Sequence, residues 1–199
     1  MDDRVVVAGE GLQRDAYSLL SRLVIPRPIA WVSSTSEEGV DNLAPHSYFM
    51  VSAVTPDPIV QFTSIGRKDT LRNVLATGEF VVSFTPSGLI EQVNATSIDS
   101  PAEVSEFDLA GLTRRPSTAV RPPSVAESPA AIECVLADTH VFGDDTVVFG
   151  RVVAVAVAQD VMGDRGPDAR LLDPIARLGG IEWASLGEIT AIRRPVWGD

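Results

Sequence analysis

Apolar side chains recur along this chain in two rhythms. Over 15–23, D-A-Y-S-L-L-S-R-L, they fall at Ala16, Leu19, Leu20 and Leu23. That is the spacing of one helix face, with Asp15 as the expected N-cap and Pro26 and Pro28 beyond the end. From Ile29 the rhythm changes to that of strands. I-A-W-V-S-S-T is rich in β-formers, S-E-E-G-V-D supplies a turn, and N-L-A-P-H-S-Y-F-M-V-S-A-V resumes an extended course, which together predict a hairpin. A strand over 58–65 follows, P-I-V-Q-F-T-S-I. Leu71, Val74 and Leu75 then predict a helix to residue 77, with Gly78 at the position after its end. E-F-V-V-S-F reads as a further strand and 88–94 as a short helix.

Residues 97–129 are rich in Pro, Ser and charge, and read as loops and short pieces wrapped over the domain. Two long β-rich runs come next, A-A-I-E-C-V-L-A-D-T-H-V-F and T-V-V-F-G-R-V-V-A-V-A-V-A, joined by G-D-D. Both are long enough to curl around a barrel. The fold class predicted is mainly β with short helices, a β barrel in preference to a parallel α/β sheet.

Composition narrows the picture. The 199 residues fit one domain, 1–199, and 45% hydrophobic with 22% charged residues describes a globular chain. Sixteen Lys and Arg against 27 Asp and Glu, a net charge of -11, disfavour nucleic acid as a partner, because phosphate backbones are held by neutralising them. The N-terminus lacks an apolar signal core and no apolar run is long enough to span a bilayer, so no membrane partner and a cytoplasmic location are expected. The one cysteine, Cys134, sits in an apolar strand and reads as core packing. His140, also in a strand, reads as structural. One Cys and two distant His give no metal-ligand spacing, so no metal site is expected.

Against that acidic background, S-I-G-R-K-D-T-L-R-N places Arg67 and Lys68 just before the helix that Asp69 should cap and Thr70 should begin. Cations beside the positive end of a helix are unfavourable by a few tenths to about 1 kcal/mol each, and an anion between them reverses the sign. Helix amides, the Thr70 hydroxyl and two cationic side chains are the donors a phosphate monoester needs. The plainer alternative is that both cations are solvated and Asp69 neutralises them. A second cluster lies on the predicted hairpin, where Ser33, Ser34, Thr35, Asn42, His46, Ser47 and Tyr48 come into one region beside aromatic residues.

R-P-I-A-W-V-S-S-T, E-E-G-V-D-N-L-A-P-H-S-Y-F, G-R-K-D-T-L-R-N-V-L-A-T-G-E-F-V-V, L-I-E-Q-V-N-A-T-S, F-D-L-A-G-L-T, V-A-E-S-P-A-A-I-E-C and A-R-L-G-G, in this order, resemble the flavin reductase-like proteins with the FMN-binding split-barrel fold. The resemblance runs over roughly residues 20 to 185. It implies a split β-barrel, a homodimer with one FMN per protomer near the interface, and hydride transfer from NADH or NADPH to a flavin or another acceptor. The chain would then be an NAD(P)H:flavin oxidoreductase, including the reductase component of a two-component monooxygenase. A non-catalytic FMN-binding module and a deazaflavin-dependent oxidoreductase are the other readings.

By matching motif, Arg67, Lys68, Asp69 and Thr70 would cradle the FMN phosphate, with Ser47 assisting. Ser33, Ser34, Asn42, Leu43, Ala44 and Tyr48 would line the ribityl chain and ring, and Asn94 would reach a neighbouring site across the dimer. Arg177, Leu178, Gly179 and Gly180 match a late loop near the ring, where paired glycines let backbone approach closely. The alternative for that segment is a helix C-cap after D-P-I-A-R-L. Trp183 stands where many relatives carry Tyr, on the substrate face, and His46 reads as a ligand contact. Hydride transfer between nicotinamide and flavin needs no side-chain nucleophile or base, so no catalytic residue is expected. The apolar V-V-A-V-A-V-A run either covers a dimer face or packs inward on the barrel and helices.

Overall fold

The computed structural model describes residues 3–198; Met1, Asp2 and Asp199, the ends of the expected domain, lie outside the described residues. Helix α1 spans Glu10–Leu23 and Gly9 takes its N-cap position. Asp15 is therefore inside the helix and not its cap. Leu12, Gln13 and Arg14 are good helix formers with no proline among them, so the helix runs back to the first residue that breaks it.

Strands β1 (Ala30–Thr35) and β2 (Asp41–His46) form the expected hairpin, with Ala30 opposite His46 and Thr35 opposite Asp41. The extended run that follows is not one strand. It breaks at Ser47 and Tyr48, and β3 (Phe49–Ala53) pairs instead with β4 (Ile59–Ile65). After β4 come α2 (Asp69–Thr77), β5 (Glu79–Ser83), a short 3-10 turn and α3 (Ile90–Ala95). The Pro- and Ser-rich section holds only α4 (Glu106–Leu109) and the short β6 (Arg114–Arg115) and β7 (Ser124–Val125). The long strands are β8 (Ala130–Phe142) and β9 (Asp145–Val157). A tail of short elements closes the chain: β10 (Met162–Gly163), β11 (Gly166–Pro167), α5 (Ala169–Leu172), β12 (Ile175–Arg177) and β13 (Trp183–Ser185).

The seven-stranded sheet runs β2-β1-β5-β8-β9-β4-β3, and every pairing within it is antiparallel. Its two edges are thus strands consecutive in the chain, so the sheet must curl until they approach. They do: the His46 ring at the end of β2 lies 4.7 Å from that of Phe62 on β4, and the Thr63 amide donates to the Tyr48 carbonyl at 2.9 Å. The result is a barrel open along one seam, the expected split β-barrel. Ser47 and Tyr48 carry the chain across that seam, which is why the predicted strand breaks there.

All six residues of β1 are buried because each face of the strand packs on a different core. Ala30 and Val32 join Val60, Phe62, Phe80 and Val148 on one side; Trp31, with the preceding Ile29, joins Leu43, Val93, Phe107 and Val125 on the other. Cys134 belongs to the first core, and burial, followed by the Glu133 charge, pushes its thiol up to about 12, as an inert packing residue requires. His140 is exposed on β8 against Phe142, at 4.6 Å.

Candidate functional site

A cavity of about 400 Å3 opens between the end of β2, β4 and the start of α2. Asn42, Ala44, His46, Ser47, Tyr48, Arg67, Lys68, Asp69 and Thr70 all line it, so most of the two predicted clusters meet in one place. Two adjacent features bring this about. β2 is an edge strand ending at the seam, and the loop after β4 turns α2 so that its N-terminus faces the same gap.

Lys68, in extended conformation, is the N-cap of α2, and no side chain caps this end. Asp69 is one residue too late for that role: it opens the helix and its carboxylate accepts from Arg72 at 2.6 Å. The amides of the first turn therefore remain available to an anion. Asp69 does not neutralise the two cations either. Lys68 Nζ instead lies 3.1 Å from Asp99 Oδ1, and no carboxylate pairs with Arg67 among the described residues. Thr70 is buried, and its hydroxyl accepts from Asn42 Nδ2 at 3.0 Å. With its acceptor side engaged, its proton is free to be donated. At the C-terminus Gly78 has φ 74, the left-handed cap that sequence predicts.

His46 borders the cavity from a buried position. Burial first, and the Lys68 charge as well, push its imidazole down to about 4, outweighing a hydrogen bond with the Thr63 backbone that favours the cation. The ring is neutral at pH 7. Its Nε2 is buried with no hydrogen-bond partner, an exception among buried polar atoms that marks a place for a ligand group. Tyr48 holds its proton more firmly than usual, chiefly through burial.

Not every predicted residue reaches the cavity. Ser33 is fully buried and its hydroxyl donates to the Pro123 carbonyl; Ser34 is fully buried and accepts from Asn73 Nδ2 at 3.3 Å. The Pro123 segment and α2 cover these two β1 hydroxyls, which line neither cavity. Leu43 points its side chain into the core, while its amide donates to Glu106 Oε2 at 2.9 Å.

Asn94, Arg177 and Trp183 line a second, smaller cavity of about 160 Å3, which shares Pro45, Ser47 and Ser97 with the first. The R-L-G-G segment is not a helix end: β12 and β13 pair with Arg177 opposite Trp183, and Leu178 to Glu182 form the turn between them. Gly179 and Gly180 line neither cavity. A Cβ on Gly179 would lie 2.4 Å from Arg22 Cγ, so this glycine admits α1 and not a ligand.

Sequence reasoning missed the opposite wall, residues 96 to 100 with Glu106. The Thr96 hydroxyl has its proton engaged, donating to the Val93 carbonyl at 3.0 Å, and also accepts from Trp31 Nε1 at 2.8 Å. Glu106 is buried, holding the Leu43 amide and the Ser100 hydroxyl. Acidic residues beside a cationic helix start run against charge reasoning, and residues 96 to 100 carry no periodicity. Neither signal was present to be read.

Three comparisons bear on this geometry. The model of the flavin reductase like domain matches residues 20–172. An uncharacterised protein of Halalkalibacterium halodurans is 40% identical over 195 residues, 92% of each chain. The structure of nitrilotriacetate monooxygenase component B from Bacillus cereus superposes with a TM-score of 0.89 at 35% identity, covering 96% of this chain and 100% of that one. A split-barrel-domain protein from Shewanella frigidimarina has the same fold, with a TM-score of 0.87 at 19% identity over 96% of this chain and 100% of its own.

Proposed function

The chain belongs to the flavin reductase-like family, and from that premise we propose that it binds FMN and uses it as an NAD(P)H:flavin oxidoreductase. The observation that carries the reading is the α2 N-terminus. Free first-turn amides, the Lys68 ammonium, the Arg67 guanidinium and the Thr70 hydroxyl form a donor set that fits a phosphate dianion. The Asp69 carboxylate is turned to Arg72, so Asp69 contributes its amide.

Bound there, FMN supplies hydride acceptance and release, which side chains cannot. The chain's own work is binding, orientation and exclusion of water. Asn42 fixes the Thr70 hydroxyl, Ala44 and Ser47 lie along the cavity wall, and Tyr48 presents a protonated phenol. His46, neutral, offers Nε2 to a polar ligand group. No acid or base is required among them.

A monooxygenase partner is supported by the likeness to a monooxygenase component B at 35% identity. A homodimer is supported by exposed apolar residues: Tyr17, Leu20 and Leu23 on α1, and Val153 and Val155 on β9, which point outward and not into the barrel. No helix among the described residues is long and apolar enough to cross a membrane, which accords with work in the cytoplasm.

The test is direct. The purified full chain should show visible flavin absorption or acquire it from added FMN, and should oxidise NADH or NADPH with flavin present. FMN binding without turnover would favour a storage or sensing module. Failure to bind FMN, with binding of a deazaflavin, would transfer the site to that cofactor.

A further inference from the structure

The smaller cavity adjoins the larger across Pro45, Ser47 and Ser97, yet its chemistry differs. Arg177 stacks over the Trp183 ring, its guanidinium carbon 4.4 Å from the ring centre. One of its N–H groups donates to the Gly180 carbonyl at 2.6 Å, which leaves most of the fork unspent. Arg27 lies beside it: the two residues exchange backbone hydrogen bonds at 2.9 and 3.0 Å. The Arg27 guanidinium is buried, and donates to the Ser21, Val24 and Leu178 carbonyls and to Ser47 Oγ.

Two guanidiniums thus converge behind Ser47 with carbonyls and hydroxyls for company. Neither pairs with a carboxylate among the described residues; Glu182, on the turn itself, lies 3.9 Å from Arg22. A chain with 27 acidic residues has supplied none here. The α1 carbonyls account for Arg27, since a cation at a helix C-terminus is favoured. They do not account for Arg177, which loses water and faces a like charge. The rest of the lining combines flat and apolar walls, Trp183, Ile29 and Pro45, with the Asn94 amide and Ser47 hydroxyl. The volume corresponds to about five waters, too small for a dinucleotide.

We propose that this cavity binds a small aromatic carboxylate. The Arg177 fork takes the carboxylate, a planar match that an ammonium lacks, and Trp183 with Ile29 and Pro45 encloses the ring. Its role rests on the proposed flavin function, because the shared wall places such a ligand beside the larger cavity as a second substrate.

Benzoate is the probe, with benzamide as its neutral isostere and inorganic phosphate as a non-aromatic anion. Each is titrated by calorimetry into the full chain, both saturated with FMN and without it. Benzoate should bind, benzamide should bind at least about tenfold more weakly, and R177Q should lose benzoate affinity by a similar factor in the chain without FMN as well as in the saturated one. R177K, with charge but no fork, should fall between. Equal binding of benzoate and benzamide to the unaltered chain overturns the proposal whatever the variants do, as does R177Q binding benzoate like the parent. Phosphate competing with benzoate at equal affinity overturns the aromatic class. If FMN fails to bind but benzoate binds through Arg177, the flavin reading falls and the carboxylate site stands; the reverse result removes only the carboxylate site.

Discussion

β1 and β2 are neighbours in chain and in space, and both carry small polar residues, yet only one of them serves the cavity. On β1, Ser33 and Ser34 are buried beneath the segment at Pro123 and beneath α2, where the Ser33 hydroxyl donates to the Pro123 carbonyl and the Ser34 hydroxyl accepts from Asn73. On β2, Asn42, Ala44 and His46 stand at the sheet edge and line the site. Residue type does not separate the two; what covers each strand's faces does. The Pro123 segment and α2 engage the β1 hydroxyls, whereas the larger cavity opens beside Asn42, Ala44 and His46 of β2.

The comparison can be broken at either strand. The largest effect is expected at His46, held neutral at about 4 against an ordinary 6.5. Because the folded value is the lower one, its stabilising contribution is complete above pH 6.5 and is lost as pH falls towards 4. That loss is on the order of 3 kcal/mol. Chemical denaturation across this range should show His46→Gln losing less stability on acidification than the parent; equal slopes would remove His46 from the account.

Next comes Lys68→Ala, which should weaken FMN by about 10- to 100-fold, the worth of a charge-assisted hydrogen bond, with melting almost unchanged. Ser33→Ala should do the opposite. It leaves the Pro123 carbonyl without its donor, costs about 1 to 3 kcal/mol of stability in denaturant titration, and leaves FMN affinity where it was. Similar profiles for these two variants would erase the distinction between the strands. The smallest effect belongs to Asp99→Asn. It frees Lys68 from an exposed pair worth about 0.2 to 1 kcal/mol, and should tighten FMN by no more than about fivefold in a titration.

Much of this was legible in the sequence. The hairpin, the helix after R-K and its Gly78 stop, and the paired long strands all follow from periodicity and turn chemistry. The convergence of Asn42, His46, Tyr48, Lys68 and Thr70 followed from their clustering and from the family resemblance. What was not legible turned either on competition between local bonds or on contacts distant in sequence. Asp69 failed as a cap because Arg72 claims its carboxylate, a bond as local as the cap itself and competing with it. The break at Ser47 and Tyr48 arises from closure of the barrel, which no local pattern records. Asp99 reaches the site from a loop and Glu106 from the start of α4, and the rest of the fold decides the course of both.

The bond from the Trp31 indole to Thr96 ties the innermost packing of the molecule to the rim of the larger cavity. Substitutions that merely reshape the interior around Trp31, Phe107 or Val93 will therefore shift that rim without touching any residue of the α2 start.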